Sequence, residues 1–280
     1  MTYTIRTLAR DELHIAIGWA AAEGWNPGLH DADSFYAADS TGFWVGELNQ
    51  QPIATLSAVK YGDTFGFLGF YIVHPHYRGQ GYGIQLWQTV LQQLEGRNIG
   101  LDGVLAQQSN YQKSGFQLAY RNIRYAGITG GTPPNLSTIV NLAELPFDII
   151  AQYDRPFFPA DRTVFLQAWL QQPEKIALGM IQSDQLVGYG MIRACQSGYK
   201  IGPLFANTPA IAESLLLALT AHVPAQQPFY LDVPELNAAA VKLAETHQLQ
   251  VVFETARMYN REFPDLPFDR LFGVTSFELG

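Results

Sequence analysis

Gly66-Phe-Leu-Gly-Phe-Tyr71-Ile-Val-His-Pro75-His-Tyr-Arg78-Gly-Gln-Gly81-Tyr-Gly83-Ile-Gln-Leu-Trp87 is the stretch whose reading decides the fold. It begins as an apolar run rich in β-branched and aromatic residues, passes a proline, and reaches three closely spaced glycines. An apolar helical pattern follows at once. The physical reading is a buried strand, a glycine-rich turn, and a helix whose first turn carries glycine. Free N–H groups at such a helix start, with no Cβ atoms in the way, make a site for a phosphate or pyrophosphate. Arg78 is expected to add a fixed positive charge at its mouth.

Spacing separates the phosphate-binding signatures. The Walker pattern Gly-x-x-x-x-Gly-Lys-Ser/Thr occurs nowhere in the chain. A dinucleotide fingerprint needs Gly-x-Gly-x-x-Gly, whereas Gly79, Gly81 and Gly83 are spaced Gly-x-Gly-x-Gly. Arg78-x-x-Gly81-x-Gly83, with the lead-in Val73-x-Pro75-x-x-Arg78, resembles the pyrophosphate loop of the GNAT acyltransferase superfamily. A second stretch, Tyr111-Gln-Lys113-Ser-Gly115-Phe116, resembles that family's Tyr-x-Lys-x-Gly-Phe, which ends its last helix.

Working outward, Thr2–Leu8 alternates as a strand and Arg10-Asp-Glu12 opens a helix with acids in its first turn. A second short helix is expected over residues 31–36. Residues 43–48 and 53–60 read as antiparallel strands joined at Asn49-Gln50-Gln51. After the glycine loop, Leu86, Val90, Leu91 and Leu94 keep core spacing on a helix that ends at Gly96. A strand over 98–106, a helix over 107–114 and a strand over 116–125 complete the unit.

Residues 128–137 are rich in glycine and proline and mark the domain boundary. Beyond them the pattern repeats, down to Asp232-Val-Pro-Glu-Leu-Asn237, where an asparagine is expected to open a helix. Phe272–Leu279 alternates as one more strand. The repeat lacks the phosphate elements: Ala206-Asn-Thr-Pro209 follows the corresponding strand with no arginine and no glycine turn, and Pro209 supplies no N–H.

The resemblance implies an α/β (α+β) chain of two tandem GNAT-like domains, each a mixed, mostly antiparallel central sheet flanked by helices. Residues 1–128 form the catalytic domain, 129–137 the linker, and 138–280 a degenerate second domain that shapes the acceptor site. Residues 1–130 alone are expected to bind the cofactor.

Composition bounds the class. A chain of 280 residues, 48% hydrophobic and 15% charged, has the material for a sizeable core. No apolar run is long enough to span a bilayer, and the first residues lack the basic and apolar regions of a signal peptide. The single Cys195 excludes intrachain disulfides and thiolate metal clusters, and six scattered histidines form no His-x-x-x-His pair, so no metal is expected. A net charge of −8 argues against nucleic acid. Residues 1–130 carry −2 and residues 131–280 carry −6, which suits a cationic, amine-bearing acceptor. A cytoplasmic monomer or homodimer is the default.

Acyl transfer from a thioester to an amine needs a held cofactor, a neutral amine, a donor to the thioester oxygen and a proton for the leaving thiolate. The resemblance assigns the pyrophosphate of acetyl-CoA to Arg78, Gly79, Gln80, Gly81, Tyr82 and Gly83, and its pantetheine arm to the backbone of Tyr71, Ile72 and Val73. It makes Tyr111 the general acid, or at least a hydrogen-bond donor to the sulfur. The general base stays open among Asp102, Glu47, His74 and His76; Asp102 leads because its apolar setting would raise its pKa. Trp25, Phe35, Tyr36 and Trp44 are candidates for an acceptor pocket. The function that follows is N-acetyl transfer to a small-molecule (or peptide) amine by direct attack in a ternary complex. The alternative is a non-catalytic acyl-CoA sensor, which would carry the same binding loop.

Overall fold

A computed structural model describes residues 2–130 and 137–280. In chain order the first half runs β1 (Tyr3–Thr7), α1 (Leu13–Ala22), α2 (Asp31–Ala38), β2 (Phe43–Leu48), β3 (Gln51–Tyr61), β4 (Phe65–Val73), α3 (Tyr82–Leu91), β5 (Asn98–Val104), α4 (Gln108–Lys113) and β6 (Gln117–Ile128). The second half repeats that order as β7 (Ile139–Asn141), α5 (Phe147–Asp154), α6 (Thr163–Leu170), β8 (Lys175–Gln182), β9 (Gln185–Ala194), β10 (Tyr199–Ala206), α7 (Pro209–Ala221), β11 (Pro228–Pro234), α8 (Ala238–Thr246) and β12 (Gln250–Tyr259), then adds β13 (Leu271–Gly273).

Local chemistry explains most boundaries. The β2–β3 turn places Asn49 and Gln50 at φ 51° and 67°, the paired left-handed geometry that matches strand twist in a tight hairpin. Asn237 opens α8 by accepting from the N–H groups of Ala239 and Ala240. β4 reads as an almost unbroken apolar run because both its faces are covered. Phe65 and Phe67 join the core beneath α1 and α2, while Leu68 points to the core beneath α3 with Leu86, Val90 and Leu94.

All the strands join one sheet, ordered β1-β2-β3-β4-β5-β12-β6-β11-β10-β9-β8-β7, with β13 beside β10. β4–β5 and β10–β11 are parallel; the other neighbours are antiparallel. The centre of that order is an exchange. β12 of the second half lies between β5 and β6, and β6 of the first half lies between β12 and β11. The helices also mesh, as Phe35 of α2 stacks on Trp169 of α6 at 5.9 Å.

Two expectations change. Residues 1–130 do not form a closed unit, because without β12 the β5 and β6 edges have no partner between them. The terminal strand is shorter than its alternation suggests: β13 stops at Gly273, and residues 274–280 continue as a buried irregular segment. Most of the expected linker, residues 131–136, lies outside the described residues.

β13 also gives the second half its character. β10 and β11 are in parallel register only at Tyr199–Ile201 and Phe229–Leu231, and then separate. β13 enters that opening and pairs with β10 at Leu204 and Phe205. Among the described residues, no strand fills the corresponding opening in the first half.

Candidate active site

β4 and β5 are in register from Phe65–Leu68 against Asn98–Leu101 and then diverge. The cause is a bulge: Thr55 of β3 faces Ile72 and Ser57 faces Gly69, so β4 holds one residue too many at Phe70. Phe70 sits at φ 49°, a conformation costing a bulky residue about 1–3 kcal/mol. Its ring is buried against Phe35 and Phe43, and full burial of such a side chain returns about 1.5–3 kcal/mol. The bulge is thus held in place by packing. Its carbonyl accepts from the Thr55 hydroxyl at 2.9 Å.

The opening is a cavity of about 520 Å³. Tyr71, Ile72 and Val73 line it from β4, Leu101, Asp102 and Val104 from β5, and Arg78, Gly79, Gly81 and Gly83 from the turn at one end. Gly79 and Gly81 adopt φ 74° and 86°, open to glycine without strain. Gly83 serves closeness instead: a Cβ there would lie 2.7 Å from Val73 Cγ2 and 2.9 Å from the Tyr71 hydroxyl. Helix α3 can therefore start right against β4. Its first backbone bond is from Gln85 N–H to Gly81 at 3.3 Å, which leaves the N–H groups of Tyr82, Gly83 and Ile84 without helical acceptors.

Two residues of the turn face elsewhere. Gln80 donates to His76 O at 2.9 Å, and Tyr82 packs on Tyr3 with centroids 4.9 Å apart. Arg78 is not a free charge. Its Nε donates to Val73 O at 2.8 Å and its terminal nitrogen pairs with Glu23, the residue that ends α1. Sequence spacing gave no sign of Glu23, which comes from a helix 55 positions earlier.

Tyr111 of α4 is buried against Gly103 of β5, where any Cβ would collide with its ring, and against Trp87 at 5.5 Å. Its hydroxyl makes no hydrogen bond among the described residues, and Tyr111 lines the cavity. Burial, with a smaller effect from Tyr71, pushes the phenol well above its ordinary pKa. It stays protonated across the physiological range, the state from which it can donate.

Asp102 lines the same cavity but is fully engaged. Its Oδ1 accepts from Asn122 at 2.8 Å, Thr255 at 3.3 Å and Arg257 Nε at 3.0 Å, and its Oδ2 from Arg257 at 2.5 Å. Both carboxylate oxygens are therefore already committed to donors on neighbouring strands. The apolar setting of Gly100-Leu-Asp-Gly-Val is real, yet the strand exchange brings an arginine into it. This removes the reason for reading Asp102 as the base. Glu47 is likewise paired, with Arg6 at 2.6 Å, and His74 packs among Trp19, His76 and Tyr77.

Of the candidate acceptor aromatics, Trp25 lines the cavity; Phe35, Tyr36 and Trp44 do not. The rest of that wall comes from the second half: Phe253 and Thr255 of β12, and Phe277 and Glu278 of the irregular segment after β13. No local pattern marks those four residues: Phe253 and Thr255 reach the cavity through the strand exchange, and Phe277 and Glu278 through the segment that follows β13.

A splayed parallel strand pair, a bulge at the splay and a glycine turn capping a helix at its mouth define a CoA-type acyltransferase fold. The chain belongs to the GNAT acyltransferase family. Residues 5–116 match the acetyltransferase (GNAT) family and residues 150–273 an acetyltransferase (GNAT) domain. A holothin acyltransferase of Pseudoalteromonas sp. (strain SANK 73390) is 30% identical over 279 residues, covering 100% of this chain and 95% of that protein. An uncharacterized N-acetyltransferase, YitH, of Bacillus subtilis (strain 168) is 25% identical over 170 residues, 60% of each chain. Among solved structures, a putative acetyltransferase from Pyrococcus horikoshii has a TM-score of 0.83 at 21% identity, covering 99% of this chain and 96% of that one. A tandem GNAT protein from the clavulanic acid biosynthesis pathway has a TM-score of 0.64 at 12% identity, covering 94% and 100%. The last two likenesses concern the fold.

Proposed function

We propose that the chain moves an acyl group, acetyl in the first instance, from acyl-CoA to the amine of a small molecule by direct attack. The observation that carries this reading is one cavity lined both by Arg78, Gly79, Gly81 and Gly83 of the turn and by Tyr111. The N–H groups of Tyr82, Gly83 and Ile84 suit a pyrophosphate, and the β4 backbone at Tyr71–Val73 suits an extended arm laid along it as an extra strand. Acyl-CoA supplies the activated thioester. A β4 amide steadies the charge that develops on its oxygen. The amine attacks from the side formed by Trp25, Phe253 and Phe277, and Tyr111 donates to the departing sulfur. A phenol raised by burial is a weaker acid than a thiol, so Tyr111 acts as a hydrogen-bond donor while the proton released by the amine satisfies the thiolate.

The second half contributes walls to this site, and its own opening is closed by β13, so a single acyl-CoA per chain is the reading. The relative named for holothin acylation, alike over 95% of its length, supports acyl transfer to an acceptor. The test is thiol release from acetyl-CoA across a panel of primary amines, with stoichiometry measured by calorimetry. Release with at least one amine and one CoA per chain is expected. Binding with no release for any amine or acyl chain length would overturn the catalytic reading.

A further inference from the structure

We propose that Glu278 receives the acceptor's amine and takes its proton before attack, and that the acceptor is a primary amine on a flat aromatic framework; this rests on the acyl-transfer reading above. Glu278 lines the cavity, is 3% exposed, and accepts no hydrogen bond at either carboxylate oxygen from a described residue. Its Oε2 is wholly enclosed. A buried carboxylate without donors is costly, several kcal/mol in real proteins, and such groups persist where something else completes them.

Position fits the role. The Glu278 carbonyl lies so close to Gly69 that a Cβ on Gly69 would overlap it. Gly69 is the residue just before the Phe70 bulge, where β4 leaves β5. The carboxylate is therefore anchored beside the point at which the cavity opens. Of the two acids lining the acceptor side, Asp102 has its oxygens engaged and Glu278 does not.

The surrounding charges leave this acid available. Arg124 of β6 and Arg193 of β9 both sense Glu278, but each is paired with its own aspartate, Asp232 at 2.6 Å and Asp31 at 2.7 Å, and the one guanidinium nitrogen left over, Arg193 Nη1, makes no hydrogen bond to Glu278. Lys200 of β10 also senses it and forms no ion pair with it; the lysine donates instead toward Trp25 O at 3.4 Å. Burial lowers the Lys200 pKa, which weakens its claim as a counter-ion.

The aromatic walls set the acceptor's shape. Arg124 lies over Phe277 at 4.8 Å and over Phe253 at 5.7 Å, fixing both rings, and Trp25 closes the group with its carbonyl bound by Arg124 at 2.7 Å. A flat amine can stack there with its nitrogen on Glu278. In the step, an N–H proton of the ammonium passes to the Glu278 carboxylate. The freed lone pair forms the C–N bond at the thioester carbon, the C–S bond breaks, and sulfur leaves with the electron pair. The nitrogen, now positively charged, gives up its second proton to the departing thiolate, and Glu278 releases the first to solvent on product release, which regenerates the carboxylate.

The experiment uses the full chain with acetyl-CoA and tryptamine, comparing wild type with Glu278→Gln. Expected is a fall in kcat/KM for tryptamine on the order of 10²-fold at neutral pH, with the acetyl-CoA Kd unchanged. The deficit should shrink as pH rises toward 10, because the amine then arrives already neutral. A purely structural role for Glu278 would not give that rescue. Equal kcat/KM in the two proteins, or a deficit that does not change with pH, overturns the proposal. If Glu278→Gln fails to fold by circular dichroism, Glu278→Asp is read for the same alkaline-independent or alkaline-rescued pattern. A wild type that acylates neither tryptamine nor any other amine overturns the proposed function and this inference with it.

Discussion

Asp102 and Arg257 stand opposite one another in the register of β5 and β12, joined by hydrogen bonds of 2.5 and 3.0 Å. The same relationship recurs between Asp232 and Arg124, opposite one another on β11 and β6. Each acid is the fifth residue of its strand and each arginine the eighth. The two ion pairs therefore repeat the internal duplication, and each one ties a strand of one half to a strand of the other. They are the stitches of the exchange.

Removing one partner of such a buried pair leaves a bare charge and costs about 3–5 kcal/mol. Arg257→Met is expected to lower the unfolding free energy by that amount in urea titrations. The double variant Asp102→Leu/Arg257→Met should recover most of it and retain acyl transfer, since neither group is assigned chemistry. A stable but inactive double variant would restore Asp102 to the mechanism.

Arg78 and Glu23 lie at the mouth of the cavity, where their pairing competes with an incoming phosphate. Arg78→Glu is expected to abolish acetyl-CoA binding in calorimetry. Glu23→Gln should tighten it, by no more than about five-fold, because an exposed ion pair contributes at most about 1 kcal/mol. Unchanged affinity in both variants would mean that the turn does not hold the pyrophosphate.

Tyr111→Phe separates an enzyme from a sensor. Turnover is expected to fall on the order of 10²-fold with acetyl-CoA affinity unchanged, measured by thiol release and calorimetry on the same preparation. A protein whose wild type binds but never turns over would leave nothing for the substitution to remove.

Burial raises the pKa of Tyr61, Tyr111, Tyr120 and Tyr189 above the ordinary value near 10. A group whose folded pKa is raised contributes stability that is complete below the unfolded pKa. That stability is lost as pH climbs from there through the folded pKa, because the unfolded chain sheds protons first. Denaturant midpoints are thus expected to hold from pH 8 to about 10 and decline above it. Replacing Tyr189 by Phe should soften the decline.

Residues 1–130 produced alone are expected to remain unfolded or aggregated, and to bind no acetyl-CoA. Mixing them with residues 137–280 from the denatured state should restore both the fold and the binding. Cofactor binding by the isolated first fragment would show that β5 and β6 can close without β12.

Much of this was legible from local pattern. The Gly66–Trp87 stretch declared its strand, turn and helix because each depends on neighbours a few residues away. So did Asn237 as a helix opener and the poverty of the Ala206–Pro209 loop. What the pattern could not show were relationships set by the sheet order. Asp102 looked like a desolvated acid because Arg257 is far along the chain. Glu278 looked like one position of an alternating strand, and Phe272–Leu279 does alternate, but β13 ends once it has filled the gap between β10 and β11. The extra residue at Phe70 was invisible too, since a bulge is defined by what the partner strand lacks.

The exchange of β6 and β12 also orders events at the ribosome. When β6 emerges, every residue of the acyl-CoA turn has been made, yet the edges of β5 and β6 await a strand not yet translated. Gln117 will finally lie opposite Tyr259. Through that interval the nascent chain exposes two strand edges that any copy of β12 satisfies, including one from a neighbouring polysome product. Domain-swapped dimers are the natural error of this architecture, and slow synthesis or high expression is when they should accumulate.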